Sequence, residues 1–384
     1  MQKVTNTKRI KELKSNNSVD MPLVIVVLML LGLGIVMVLS ASAPSALADY
    51  NDSYHYVKTQ GIAAIAGIII MIILSKFNYE WLKKFYKPIY VLSVLILFTV
   101  LIPKIGVGAN GARRWINLGV QIQPSEITKI GLIIAFAGYF SDSRNKLDTF
   151  VGSCLIPIIA LVVPVLILYG VQNHLSAGIV IAFVVAVMIV MAGCKIKYLG
   201  YIALSVLGFV GVALIFFKDK LTGSFRSDRI EAWLHPMENL SGKAYQTMQG
   251  LYAIGSGGLF GVGLGESKQK YLYIPEAHND FIFAILAEEL GFVGCGIVLI
   301  LFSALIVRGV LIAIRAKDMF GSLIAIGITS LIAIQAILNI AVVTNTIPNT
   351  GISLPFLSYG GSSLMILLAS MGILLNISRS AKKI

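Results

Sequence analysis

Apolar residues run in long unbroken stretches along most of this chain, with polar residues gathered in short clusters between them. A helix needs about 20 consecutive apolar residues to cross a bilayer. That measure predicts ten spans, at roughly 22–43, 56–76, 87–104, 125–141, 150–170, 174–193, 197–217, 281–308, 318–343 and 353–378. The expected fold is all-α: a polytopic integral membrane protein with one long loop, 218–280, between spans seven and eight. Residues 1–21 form a basic tail, 22–378 a single membrane domain and 379–384 a second short tail. The first apolar tract ends in Ala41-Ser42-Ala43, which imitates a signal-peptide cleavage site. The tract exceeds the about 7–15 residues of a signal core and Pro44 follows it, so a retained span is expected.

Composition agrees. Of 384 residues, 57% are hydrophobic and 13% charged, where soluble domains carry about 25% charge. The net charge of +13 suggests nucleic acid only until its distribution is read. With ten spans and the N-terminus inside, Lys8, Arg9, Lys76, Lys83, Lys84, Arg144, Lys195, Arg308, Arg315, Lys317 and Arg379 all fall in inside segments. The short outside loops hold only Lys104, Arg113 and Arg114. This positive-inside bias puts both termini in the cytoplasm and makes membrane lipid, not nucleic acid, the partner. Cys154, Cys194 and Cys295 show no CxxC spacing, and His55, His174, His235 and His278 show no paired zinc spacing. No metal ligands are assigned, although a carboxylate-rich mouth leaves room for a hard divalent cation, Mg²⁺ or Mn²⁺.

Candidate chemistry concentrates in three segments. In Pro275–Gly291 a polar loop becomes a span, with Asp280 at its mouth, Glu276, His278 and Asn279 beside it, and Glu288 and Glu289 two turns inside. Asp280 reads either as a helix N-cap or as a general base. Intramembrane acids line a cavity or find a partner, so Glu288 and Glu289 are candidates for substrate or metal binding or for a structural ion pair. In Gly106–Lys129, Arg113 and Arg114 stand against the positive-inside trend as an anchor or as a forked clamp for phosphate. Glu126 and Lys129 are spaced to pair on one helix face, with Lys129 alternatively reaching an anionic head group. In Asn345–Ser363 prolines, glycines and hydroxyls, Ser358 among them, suggest broken backbone lining a cavity. The long loop is balanced, with seven basic and seven acidic residues; Ser224–Pro236 fits an interfacial helix, and the glycine run Gly255–Gly265 fits tight turns or a diphosphate cradle. It contains no GxxxxGK[ST].

Four stretches in order, GARRWINLG with QPSEITK (111–129), AIGSGGLFGVGLGESKQK (253–270), PEAHNDFIFAILAEELG (275–291) and LPFLSYGGSS (354–363), resemble the SEDS family of FtsW, RodA and SpoVE. The wording around Pro275–Asp280 leans to the FtsW/SpoVE branch. The resemblance implies a peptidoglycan glycosyltransferase of the bacterial cytoplasmic membrane that polymerises lipid II at the outer face beside a class B penicillin-binding transpeptidase. It places the family's essential aspartate on Asp280 and makes undecaprenyl diphosphate the leaving group, its charge met by a divalent cation or by Arg113, Arg114 or Lys129. A lipid II flippase and a scaffold for the transpeptidase are the alternatives. The chain departs from relatives that carry a PDLGT-like stretch, having VQNHLSAG at 171–178, so no role of that acid carries over. It also has Asn279 where HTDFIFA has threonine.

Overall fold

The computed structural model describes residues 18–103, 105–109, 112–117, 119, 121–143, 147–195, 197–198, 200, 233–234 and 243–381. Its helices are α1 (Met21–Tyr50), α2 (His55–Lys76), α3 (Glu80–Lys84), α4 (Tyr86–Leu95), α5 (Pro124–Asp142), α6 (Ile156–Gly170), α7 (Leu175–Met191), α8 (Lys243–Gly257), α9 (Ile282–Arg315), α10 (Met319–Val343) and α11 (Gly361–Ser380). Six helical stretches among the described residues are long and apolar enough to cross a membrane: α1, α2, Val151–Gly170, α9, α10 and α11. Tyr86–Leu101 and α7 are shorter and apolar. The expected seventh span, 197–217, and the interfacial helix at Ser224–Pro236 fall mostly outside the described residues.

Helix α5 is buried on nearly every face among other helices. That is why it tolerates Glu126 and Lys129 near its start: its polar groups meet protein instead of lipid. Close packing uses small residues, as expected where lipid tails leave no hydrophobic drive between helices. Along α2 and α11, a Cβ at Gly67 would stand 2.5 Å from Leu368 Cδ1, and one at Gly372 would stand 2.6 Å from the carbonyl of Met71.

One end of the bundle is tied by ion pairs and caps. Asp20 caps α1 through the Leu23 amide and pairs with Arg308. Asp318 caps α10 through the Gly321 amide and accepts from the Tyr79 hydroxyl at 3.1 Å. Lys76, Lys83, Lys84, Lys195, Arg315, Lys317 and Arg379 lie on the segments that meet at this end.

Three features depart from the expected all-helical pattern. The third span does not run on to residue 104: α4 tightens into a 3₁₀ stretch, Ile96–Leu101, and gives way to a small antiparallel sheet. Strands β1 (Gly106–Ala109), β2 (Ala112–Asn117) and β3 (Gln121–Ile122) pair in that order, with a register shift between Val107 and Gly108. The last span begins at Gly361 and not at 353, because residues 344–360 form an irregular loop. Finally, α9 is broken at Gly291, which adopts φ 66°. The carbonyls of Glu288 and Glu289 accept from the amides of Val262 and Gly263, at 2.9 and 3.1 Å. Beyond the break, the amides of Phe292 and Val293 donate to the carbonyls of Gly258 and Leu259. By the 1.5 Å rise of a helix, Gly291 lies roughly 26 Å from Arg308, near the far edge of a hydrocarbon layer about 30 Å thick.

Candidate functional site

Asp280 sits in the turn before α9, beyond that edge and opposite the end closed by Asp20 and Arg308. Helix α9 takes Phe281, not Asp280, as its N-terminal flank, so the aspartate is not spent as a cap. Asn339 Nδ2 donates at 2.7 Å to the carbonyl of Asp280 and at 2.7 Å to that of Ile352. This draws the 344–360 loop onto the turn. A Cβ at Gly351, which has φ 66°, would stand 3.1 Å from Asp280 Oδ2. Asp280 is half-buried by surface, yet protein surrounds its carboxyl, and desolvation pushes it up to about 6. The Glu276 carboxylate adds to the rise, and the Arg114 guanidinium opposes it.

The other residues of this turn are placed by the loop and by α2. The Tyr359 amide donates to the His278 carbonyl at 2.9 Å, and the His278 ring lies 4.4 Å from the Tyr56 ring. Burial pushes His278 down to about 4, so it is neutral near pH 7. Glu276 is exposed, has φ 47° and accepts from the side chain of Asn279 at 3.0 Å. Gln60 of α2, fully buried, donates to the carbonyl of Ser358 at 3.3 Å and accepts from the amide of Gly360 at 3.1 Å. The Ser358 hydroxyl accepts from the Leu354 amide at 2.7 Å and helps line a narrow cleft with Glu126, Gln335, Ser353, Tyr359 and Ser363. The same loop therefore carries Gly351 against Asp280 and walls a polar cleft that reaches α5, α10 and α11.

Lys129 and Glu126 pair at 2.7 Å on this side of α5, and Lys129 has only 4% of its side chain exposed. The two arginines have different surroundings. Val107 pairs with Trp115 and Gly108 with Arg113, which leaves Arg114 as the extra residue of a bulge in β2; Arg113 is exposed and Arg114 half-buried. Arg114 donates to the carbonyls of Asn173, at 2.8 Å, and Gln172, at 3.4 Å. Asn173 reaches this position with φ 49°. Beside it, His174 contacts the Gln123 amide at 3.2 Å. Burial, with Arg114 and Lys129 nearby, pushes His174 down to about 3. Arg114 thus acts electrostatically on both Asp280 and the α6–α7 turn.

Glu288 and Glu289 are brought to a different place. Glu288 accepts from the Ser267 hydroxyl and from the Lys268 amide at 2.9 Å. Glu289 accepts from Ser40 of α1 at 2.6 Å and pairs with Lys270 at 3.0 Å. Both carboxylates are held by internal partners, so of the two roles open to them the ion pair and loop anchor describe their surroundings. The glycine run is likewise committed. The amides of Gly261, Val262 and Gly263 serve Gly257 and the broken helix, which leaves them unavailable for a diphosphate cradle.

Sequence reasoning passed over Gln60, Gln172, Asn339 and Gly351. The signal for three of them is plain in retrospect: an uncharged amide in or beside an apolar span must satisfy its donors internally.

The comparisons with known proteins agree along the whole length. The FtsW/RodA/SpoVE profile, described as "Cell cycle protein", matches residues 21–383. Stage V sporulation protein E of Bacillus subtilis is 43% identical, over 95% of this chain and 98% of its own. The probable peptidoglycan glycosyltransferase FtsW of Geobacter sulfurreducens is 39% identical, over 89% and 90%. Among solved structures, a chain of a peptidoglycan synthase complex described as coordinating polymerization and crosslinking superposes with a TM-score of 0.77. Its identity is 26%, over 95% of this chain and 98% of its own. RodA of Thermus thermophilus gives 0.67 at 27% identity, over 96% and 99%. A multi-pass helical bundle, a kinked span behind an aspartate turn and a profile match from the first helix to the last lead to one assignment: the chain belongs to the FtsW/RodA/SpoVE family.

Proposed function

We propose that this chain is a peptidoglycan glycosyltransferase that polymerises lipid II, with Asp280 as the general base. The observation that carries the reading is the surroundings of Asp280. A carboxylate not used as a cap and desolvated beside Gly351 suits proton abstraction near neutral pH. In the proposed step Asp280 takes the proton of the 4-hydroxyl of the acceptor sugar. That oxygen bonds to the anomeric carbon of the growing chain, and the bond to undecaprenyl diphosphate breaks with the electron pair leaving on the diphosphate. Arg114 and Lys129 supply positive charge on this side of the bundle. Glu126 and Ser358 line the cleft and Glu276 and His278 flank Asp280 on its turn, where they are proposed to meet substrate; inversion at the anomeric carbon follows from direct displacement.

Among the described residues no three His, Cys, Asp or Glu side chains cluster as a metal cage. Mg²⁺ characteristically binds one or two carboxylates plus substrate phosphates, and the exposed Glu276 beside Asp280 fits that mode. A divalent cation there would neutralise charge on the departing diphosphate.

The Asp280 end faces outward in this reading and both termini lie in the cytoplasm, supported by the lysines and arginines gathered at the other end. A class B penicillin-binding transpeptidase is the proposed partner, supported by the likeness to a chain of a peptidoglycan synthase complex. The test is to give the purified protein, with and without such a partner, labelled lipid II and Mg²⁺ or Mn²⁺. A ladder of glycan polymer is expected. Translocation of labelled lipid across liposomes with no ladder under any pairing would overturn the polymerase reading in favour of a flippase.

The same assay yields a pH prediction. Asp280 acts only when ionised, and its carboxyl is held at about 6. The rate constant kcat/KM should fall about tenfold per pH unit below that point and level off above it. His278, pushed down to about 4, stays neutral through this limb and adds no second step. A limb near 4 would show that the carboxyl is solvated during turnover.

A further inference from the structure

Asn339 lies in the last turns of α10 with no exposed surface. A primary amide has two N–H bonds. Here both go to backbone carbonyls of separate segments, Asp280 in the turn before α9 and Ile352 in the 344–360 loop. The loop residue next to Ile352 is Gly351, the one whose backbone closes on Asp280 Oδ2. The same two segments also meet through the Tyr359 amide on the His278 carbonyl and through Gln246, which reaches Pro275 and Asn349, but it is Asn339 that bonds to the Asp280 carbonyl itself. Gln60 and Ser176 tie the same loop through Ser358 and Thr350, but neither bonds to the Asp280 turn.

We propose that Asn339 is a positioning residue for Asp280: by clamping the turn to the Gly351 segment it fixes the carboxylate and keeps water off its inner side. The inference rests on the reading of Asp280 as the base. The charged groups acting on Asp280 are Glu276, from its own turn, and Arg114, from β2. His278 on the same turn is neutral, and α10 and the loop face Asp280 with the uncharged Asn339 and Gly351. Opening the clamp therefore changes hydration of the carboxyl while leaving its charged neighbours in place.

The experiment compares Asn339→Ala and Asn339→Asp with the parent in the polymerisation assay, with Asp280→Asn alongside. Asn339→Asp keeps the shape of the side chain and removes the paired donors. Displacing a reacting group by about 1 Å can cost about 10²-fold in rate, so kcat should fall by about that factor in both variants with KM retained. In Asn339→Ala the acid limb should move below its position in the parent, whereas the carboxylate added in Asn339→Asp opposes that shift. Hydrogen exchange at the amides of 279–281 and 350–353 should quicken in the Asn339 variants, a readout that needs no activity. Should either Asn339 variant fail to fold, Gly351→Ala probes the same contact from the loop side and should lower kcat and move the limb likewise. Unchanged kcat, or a loss of kcat in Asn339→Ala with the limb unmoved, would overturn the positioning role. Wild-type polymerisation by Asp280→Asn would instead overturn the base assignment, with the exchange data still reporting the clamp.

Discussion

Asp280→Asn is expected to lower lipid II polymerisation by about 10²–10⁴-fold, the usual contribution of a general base. The substitution is close to isosteric. Its backbone carbonyl still accepts from Asn339, and its side chain still fits beside Gly351, so the turn should keep its shape. Glu276, Arg114 and the Glu126–Lys129 pair are untouched, and substrate binding should survive. Single-turnover polymerisation followed by gel, with lipid II binding measured separately, checks both halves. An Asp280→Asn protein that polymerises at the parent's rate would remove Asp280 from the chemistry. One that no longer binds lipid II would reassign it to substrate recognition.

The second large effect is on stability. Lys270→Met should destabilise the protein by about 3–5 kcal/mol, because it leaves the carboxylate of Glu289 buried without its cation. Lys270 is 5% exposed and Glu289 0%. The ammonium also donates to Ser40 at 3.1 Å and to the carbonyl of Gly265, so one substitution loosens α1, the glycine segment and α9 together. Replacing both members of a buried pair by apolar groups is often neutral, and Lys270→Met with Glu289→Leu should recover much of the loss. Unfolding in detergent, followed for the parent, the single and the double variants, measures this. A single variant as stable as the parent, or a double variant no better than the single, would mean that the pair does not hold the loop.

The six long spans among the described residues were legible in the sequence because an apolar run long enough to cross a bilayer has few other fates. The family motifs singled out Asp280. Less legible was everything that depends on a partner far along the chain. Glu288 and Glu289 were visible as costly acids, but Ser40, Ser267 and Lys270, which hold them, are revealed only by the fold. Arg113 and Arg114 read as a pair, but a bulge in β2 sets Arg114 apart from its neighbour, and its bonds go to Gln172 and Asn173, remote in sequence. Asn339 carries no motif of its own, and its two bonds reach segments remote in sequence.

The break at Gly291 also bears on how the protein is made. Near the hydrocarbon edge, each backbone group without a partner costs several kcal/mol. Two carbonyls and two amides around Gly291 bond to residues 258–263. That segment is synthesised before α9, so these four bonds form once the helix arrives. Insertion of α9 and seating of the glycine segment are then one event in biogenesis. The turn that carries Asp280 lies between them in the chain, and it acquires its final position in that same event.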